Sequence, residues 1–300
     1  MALTKVQQMM KNAIDYLLLE QREDGSWRDY RLPVGESDQW VTAFTALGVI
    51  QASRKLDYHK GIEAAYRSAG FLQDFQEYNA GWGFNRHVGI DADSTAHVIR
   101  LLRELRIEVK HRDEDCLMLH YDGQGAFRTY RKNSEWGKPH PDVTAAAGLA
   151  LNDVSLQHVR EDLLKYCRAV RLPDGSWPTY WWRNHQYGTY YMLELYERLG
   201  EPVSLDPNKM NVTIQSCFDL AWSLGILLIT KGKTPFLKWA AQTLFNMQEV
   251  SGAWSGSPSL RVTDPSCGEP WNSPVGEYYT DINCAITTSS VLRVLSRFFS

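Results

Sequence analysis

Neither sign of charge dominates this 300-residue chain: Lys and Arg number 32 against 35 Asp and Glu. No basic footprint for nucleic acid is therefore present. Long apolar runs are missing too. The longest, Leu220 to Ile229, is about half of what a bilayer-spanning helix needs. The opening residues carry no apolar core and read as no secretory signal. Cys116, Cys167, Cys217, Cys267 and Cys284 are odd in number, scattered and never spaced Cys-x-x-Cys. That argues against a disulfide framework or a structural zinc site and predicts a cytoplasmic protein. No Pro/Gly/Ser-rich linker or charge run divides the chain, so 1–300 reads as one domain. Aromatic residues, by contrast, are abundant: Trp 11, Tyr 15 and Phe 10.

Many of these aromatics sit in repeats. Gln21-Arg-Glu-Asp-Gly-Ser-Trp27 is echoed by Arg171-Leu-Pro-Asp-Gly-Ser-Trp177 and Gln248-Glu-Val-Ser-Gly-Ala-Trp254, with looser copies at Gln76–Phe84 and Tyr121–Phe127. Each is a Gly-bearing turn ending in an aromatic residue. Amphipathic segments of helical period precede most of them: Lys5 to Leu19, Ile62 to Phe75, Val159 to Val170 and Phe236 to Met247. After the turns come segments that open on a polar residue and continue with Ala, Thr and Ser. They start at Asp38, Asp91, Asp142 and Asp281, with two further members from Gln186 and Asn211. Asp or Asn there suits a helix N-cap, because its side-chain oxygen accepts an orphan backbone N–H. Six small-residue helices interleaved with about five amphipathic ones predict an all-α fold, the (α/α)6 barrel, with one ring inside the other. The N-terminal ends of the inner helices would then surround one mouth. The irregular stretches Gly25–Ser37, Arg128–Pro141 and Ser255–Tyr279 would be loops over the barrel ends.

The segment Gly81-Trp-Gly-Phe-Asn-Arg-His-Val-Gly-Ile-Asp-Ala-Asp-Ser-Thr-Ala-His97 opens a helix with two carboxylates, Asp91 and Asp93. In an apolar cavity, burial and like-charge repulsion would keep one of them protonated near neutral pH. Its conjugate base would sit in the first helical turn, where backbone N–H groups and the helix dipole stabilise negative charge. Such an acid suits protonation of a very weak base, an alkene. The same residues also read as a plain helix start, with Asp91 the N-cap and Asp93 a solvated first-turn carboxylate.

This segment resembles the acid motif of class II terpene cyclases, the family of squalene–hopene and bacterial diterpene cyclases, whose pattern is Asp-x-Asp-Asp-Thr-Ala after a Gly-Trp turn. The resemblance makes Asp93 the proton donor and Asp91 its electrostatic neighbour, with Ser94 in place of the last Asp. A Ser94 hydroxyl can hydrogen-bond the acid but cannot raise its pKa by charge. Lys138-Pro-His-Pro-Asp-Val-Thr-Ala145 resembles the segment leading to the histidine that supports the acid in hopene cyclases. Ala146 holds that place here, which leaves His97, one turn after Asp93, as the substitute. Asp174–Thr189, Gly252–Val262 and Tyr279–Leu295 extend the resemblance over nearly the whole chain.

What it implies is a proton-initiated cyclase acting on a linear prenyl diphosphate or a prenylated acceptor. Trp40, Trp82, Phe84, His97, Asp142, Trp181, Tyr187 and Tyr191 become candidate substrate-binding residues, the aromatic ones steadying cations through their ring faces. The turn tryptophans Trp27, Trp177 and Trp254 are expected to join helices instead. No cofactor is required. A diphosphate substrate would bring Mg2+ and would need cations at the mouth, for which Arg28, Arg31, Arg86, Lys138 and Arg183 are placed. No Asp-Asp-x-x-Asp metal motif appears, so ionisation of a diphosphate is not the expected first step. Family enzymes usually pair this barrel with a second one. Here loops, a second copy, a partner protein or a membrane surface would complete the cavity, or the substrate is smaller. Two other readings stay open, acid catalysis on a non-isoprenoid substrate and a non-catalytic binding module with solvated Asp91 and Asp93.

Overall fold

The computed structural model describes residues 4–77, 80–206, 209–210, 213–231, 235–273 and 276–299, and helices of two kinds alternate along them. Helices α1 (Lys5–Glu20), α3 (His59–Asp74), α5 (His111–Met118), α7 (Asp153–Ala169) and α10 (Pro235–Met247) each bury one stripe. Helices α2 (Gln39–Leu56), α4 (Ala92–Glu104), α6 (Pro141–Ala150), α8 (Gln186–Leu199), α9 (Cys217–Ile229) and α11 (Ala285–Ser296) are buried over most of their surface. These six close a ring: α2 packs on α4, α4 on α6, α6 on α8, α8 on α9, α9 on α11, and α11 back on α2. The amphipathic helices lie outside it, α1 against α11 and α2, α3 against α2, α5 against α4, α7 against α6, and α10 against α9. This is the all-α (α/α)6 barrel. Small residues let the inner helices approach. A Cβ on Gly48 of α2 would lie only 2.7 Å from the Ser289 carbonyl oxygen of α11.

One outer position holds no helix among the described residues: α8 leads to α9 through residues 200–216, whose described part is irregular. The inner helix expected from Asn211 begins at Cys217, capped by the Ser216 side chain, and Asn211 itself lies outside the described residues.

The aromatic turns are repeated joints. Trp27, Trp82, Trp177 and Trp254 each donate their indole N–H to the carbonyl ten residues back, on Leu17, Leu72, Cys167 and Leu244, at 2.7–2.8 Å. Their backbone N–H groups, with that of Phe127, bond the hydroxyls of Thr42, Thr95, Thr189, Thr288 and Thr144 on the following inner helix. The indole thus ties to the outer helix while the threonine holds the inner one. Gly25 makes the first turn possible: its φ is +86°, and a Cβ would stand 2.5 Å from the Arg67 carbonyl oxygen. Gln21 and Gln248 close their turns onto the Gly25 and Gly252 carbonyls, and Arg171 does the same at Gly175 through Nε.

Because α2, α4, α6, α8 and α11 each follow such a joint, the N-termini of the ring gather at one mouth. Of the four aspartates read as caps, Asp91 caps its own helix with its side chain. Asp38 makes no cap bond and pairs instead with Arg28 at 3.0 Å and Arg86 at 3.6 Å. Asp142 lies inside the first turn of α6. Asp281 precedes α11 by several residues, yet reaches forward to accept the Thr287 N–H at 2.7 Å. Two antiparallel hairpins overhang this mouth, β1 (Asp29–Leu32) with β2 (Gly35–Ser37) and β3 (Pro258–Val262) with β4 (Glu277–Thr280). They fall within two of the stretches expected to be loops.

Candidate active site

A cavity of about 290 Å3 lies at the mouth formed by the inner-helix N-termini. Trp40 from α2 and Asp91, Asp93 and Ser94 at the start of α4 line its inner end, with Trp181 and Trp182 just before α8. Leu32, Pro33 and Val34 from the first hairpin wall it, with Phe84, Val88, Thr129, Tyr130, Trp136, Leu260, Val262 and Tyr279. The wall is therefore aromatic and aliphatic, with the carboxyls as its main polar feature. Beneath it the barrel axis is filled. Tyr187 packs on Tyr191 with ring centroids 4.3 Å apart and on Trp182 at 4.4 Å, while Phe44 contacts His97 at 5.4 Å.

Local backbone geometry separates the two acids. Asp91 caps α4, its Oδ1 accepting the Ser94 N–H at 2.7 Å and its Oδ2 the Ser94 hydroxyl at 2.8 Å. The expectation that Ser94 would serve the donor Asp93 is thus corrected: its hydroxyl goes to Asp91. Burial pushes Asp91 up to about 6, against the lowering effect of those bonds. Asp93, one position inside the helix, keeps 17% of its side chain open and lines the cavity. Desolvation raises its pKa well above the usual carboxylate range, and the charges of Asp91 and Asp142 add to the rise. The protonated form of this carboxyl is thereby favoured. The Trp40 indole N–H donates to Asp93 Oδ2 at 2.8 Å, which makes Oδ2 the acceptor and leaves the proton to Oδ1.

Of the residues read from the sequence, Asp91, Asp93, Ser94, Trp40, Phe84 and Trp181 line the cavity, and Trp82, His97, Asp142, Tyr187 and Tyr191 do not. Trp82 is a joint tryptophan, bound to Leu72. Asp142 Oδ2 accepts the N–H groups of Tyr180 and Trp181 at 3.0 and 3.1 Å, so it positions the Trp181 backbone from behind. Tyr187 and Tyr191 point into the filled axis. His97 is buried, its Nδ1 2.8 Å from the Asp93 carbonyl oxygen and 3.6 Å from Asp93 Oδ1. Burial keeps it neutral, with a pKa of about 3. Tyr130, Trp136, Leu260 and Val262 were missed, because they sit in irregular stretches or, for the last two, in the short strand β3, where the sequence has no helical period. Their one signal was aromatic and aliphatic character inside stretches long enough to be functional.

None of the five candidate cations lines the cavity. Arg28 and Arg86 pair with Asp38, Arg31 with Glu36 at 2.9 Å, and Lys138 with Glu135 at 2.6 Å, while Arg183 stacks over Tyr278. Among the described residues no three His, Cys, Asp or Glu side chains gather as a metal site, and no helix is long and apolar enough to cross a membrane.

No family model matches the chain, and neither does any curated protein. Solved structures do. Type II terpene cyclase MstE from Scytonema superposes with a TM-score of 0.85 at 23% identity over 98% of both chains. Single-residue variants of it have been solved in complex with geranylgeranyl dihydroxybenzoate, the substrate, and with merosterolic acid A, the product. A protein from Actinoplanes matches with a TM-score of 0.82 at 26% identity, over 97% of this chain and 99% of that one. The ent-copalyl diphosphate synthase from Streptomyces platensis gives 0.56 at 16% identity, over 85% of this chain and 50% of that one. The barrel inferred from the repeats is the fold of these proteins.

Proposed function

We propose that this chain is a proton-initiated, class II terpene cyclase that works as a single barrel domain. Asp93 delivers its Oδ1 proton to the terminal double bond, or epoxide, of a prenyl chain lying in the aromatic cavity. Protonation of the alkene forms a C–H bond and leaves a tertiary cation, whereas protonation of an epoxide oxygen breaks a C–O bond. Internal double bonds then attack the cation in turn, and loss of a proton to a base or capture of water ends the cascade. The faces of Trp40, Trp181, Trp182 and Phe84 stabilise positive charge without offering a nucleophile. Asp93 is left as a carboxylate on the Trp40 N–H, in the first turn of α4, where the helix dipole favours it. Burial, with the charges of Asp91 and Asp142 adding to it, favours the protonated acid between turnovers.

The observation that carries this reading is a carboxyl that lines an apolar, aromatic cavity, where burial favours its protonated form. A binding module would leave both acids in water, whereas Asp91 is 3% exposed and Asp93 opens only toward the cavity. Likeness to MstE favours a prenylated aromatic acceptor as substrate, and the lack of Lys or Arg among the lining residues speaks against a diphosphate held there, with or without Mg2+. Loops and hairpins of this chain wall the cavity and leave its mouth open, where a second copy or a partner protein would cover it. A peripheral membrane contact would meet the rim, where Val34 is half exposed. Five unpaired cysteines suit a cytoplasmic setting.

The test is to incubate the purified protein with geranylgeranyl dihydroxybenzoate and with geranyl, farnesyl and geranylgeranyl diphosphates, and to analyse products by mass spectrometry. A cyclic isomer from the prenylated benzoate, lost in Asp93→Asn, is expected. Blank results across the panel, with folded protein, would turn the assignment toward acid catalysis on a non-isoprenoid substrate.

A further inference from the structure

The barrel axis below the cavity contains a hydrogen-bonded chain that ends on Asp93 and starts at the opposite mouth. Arg293 of α11 is 3% exposed, and its Nη1 donates to the Tyr191 hydroxyl oxygen on α8. That oxygen lies 3.0 Å from His97 Nε2. On the other side of the imidazole, Nδ1 is 2.8 Å from the Asp93 carbonyl oxygen and 3.6 Å from Asp93 Oδ1. Arg293 is itself fixed by Glu194, bound at 2.6 Å, and Arg100 and Arg297 hold the same carboxylate at 3.2 and 3.1 Å.

Donor and acceptor rules leave one arrangement of hydrogens along this chain. A guanidinium only donates, so Arg293 occupies a lone pair of the Tyr191 oxygen and the tyrosine's own hydrogen is free to point at His97 Nε2. A carbonyl only accepts, so the hydrogen of the neutral ring sits on Nδ1. We infer that Arg293 and Tyr191 are positioning residues that lock His97 in its Nδ1–H tautomer, so that an N–H and never a lone pair faces the Asp93 carboxyl.

The consequence for proton transfer is direct. With the opposite tautomer, a bare Nδ1 near Oδ1 would accept the acidic hydrogen and hold it back from the substrate. The locked tautomer cannot accept it. Once Asp93 has ionised, the same N–H, bonded to the Asp93 carbonyl, keeps its positive end 3.6 Å from the carboxylate. Every charged group around the imidazole works in this direction or is neutralised. Arg100 on α4 and Arg293 on α11 oppose an imidazolium. Glu194 on α8, which burial alone would raise, is held at about 2 by Arg293, Arg100 and Arg297 and stays paired with them. Tyr187 approaches Nε2 only at 3.5 Å, and α2 contributes the uncharged rings of Trp40 and Phe44.

The activity arm of the test rests on Asp93 being the proton donor; the spectroscopic arm does not. Long-range 1H–15N spectra of the histidine rings, with His97 assigned by His97→Gln, should show a neutral Nδ1–H tautomer from pH 5 to 8. Tyr191→Phe removes a hydroxyl and no packing volume, and should convert His97 to a tautomer mixture. The same variant should lower kcat roughly tenfold at unchanged KM, as expected for one misdirected proton contact near an acid. Arg293→Lys, which keeps a donor on the Tyr191 oxygen, should retain more of both signatures than Arg293→Met. An Nε2–H signal or an imidazolium in the wild type would overturn the inference, as would an unchanged tautomer in Tyr191→Phe. Inactive wild type with the expected spectra would count against the cyclase reading alone.

Discussion

Two pairs of buried carboxyls stand on the same rim of this barrel and meet different fates. At α11, Asp29 and Asp281 are both fully buried. Asp29 accepts the N–H groups of Tyr30, Asn283 and Ala285, and Asp281 those of Ser257 and Thr287. Desolvation raises them to about 6 and about 7, with repulsion from Asp29 adding to Asp281. At α4, desolvation raises Asp91 and Asp93 as well. The difference lies in where the carboxyl oxygens point. Every oxygen of the α11 pair that makes a bond is spent on backbone N–H groups that begin a helix or anchor a loop. Among the described residues, Asp93 takes only the Trp40 N–H on its carboxyl, at Oδ2, and its side chain lines the cavity. An elevated carboxyl pKa therefore does not identify a catalytic acid here. The proposed proton donor differs in having an open face on an apolar cavity.

The largest effect that separates the pairs belongs to Asp93→Asn. It should cut turnover by at least about 1,000-fold, within the range that general acids contribute, while the circular dichroism melt shows an intact fold. Asp281→Asn, in the matching position of the other pair, should leave turnover per folded molecule within about threefold. A comparable loss in both would erase the distinction.

The α11 pair should instead show itself in stability. A folded-state pKa raised above the unfolded value means that the folded protein keeps protons which the unfolded chain has released. That stabilisation is complete below about pH 4 and is lost as pH rises through about 7. The slope of unfolding free energy against pH should therefore be more negative in wild type than in Asp281→Asn between pH 4 and 7, by up to about 1.4 kcal/mol per pH unit for one proton. Urea titrations at three pH values in that window would measure it, and parallel slopes would count against a shared buried proton.

Smaller effects sharpen the description of the α4 pair. Trp40→Phe keeps a ring at the inner end of the cavity but removes the donor to Oδ2, and should lower kcat about tenfold by weakening support of the carboxylate. Ser94→Ala should cost only a few-fold in kcat, because its hydroxyl serves Asp91, together with about 1 kcal/mol or less of stability from the weakened α4 start. If Ser94→Ala matched Trp40→Phe in activity, the hydroxyl would be acting on Asp93 after all.

The repeated turns and the alternation of amphipathic with small-residue segments were enough to read the barrel, because joint and helix face both have a period. The threonines that clip each joint, Thr42, Thr95, Thr144, Thr189 and Thr288, belong to the same small-residue signature. Asp91 and Asp93 were legible as an acid pair. Depth along the barrel axis was not. Tyr187 and Tyr191 lie on the inward face, as their spacing implies, but their rings pack against Trp222, Phe44 and each other below the cavity. Trp82 was misread because its turn places Gly81 directly before the indole, where Gly25, Gly175 and Gly252 stand two residues before theirs. The roof was legible only as long stretches over the barrel ends, not residue by residue. Tyr130, Trp136 and Leu260 reach the site through hairpin and loop geometry, which tertiary packing decides.

The account rests on one hydrogen passing from Asp93 to carbon, and turnover in D2O follows that hydrogen directly. The account predicts a cyclic product carrying one non-exchangeable deuterium at the carbon of the former terminal alkene, and no such product from Asp93→Asn. A cyclic product formed in D2O without deuterium at that carbon would contradict it.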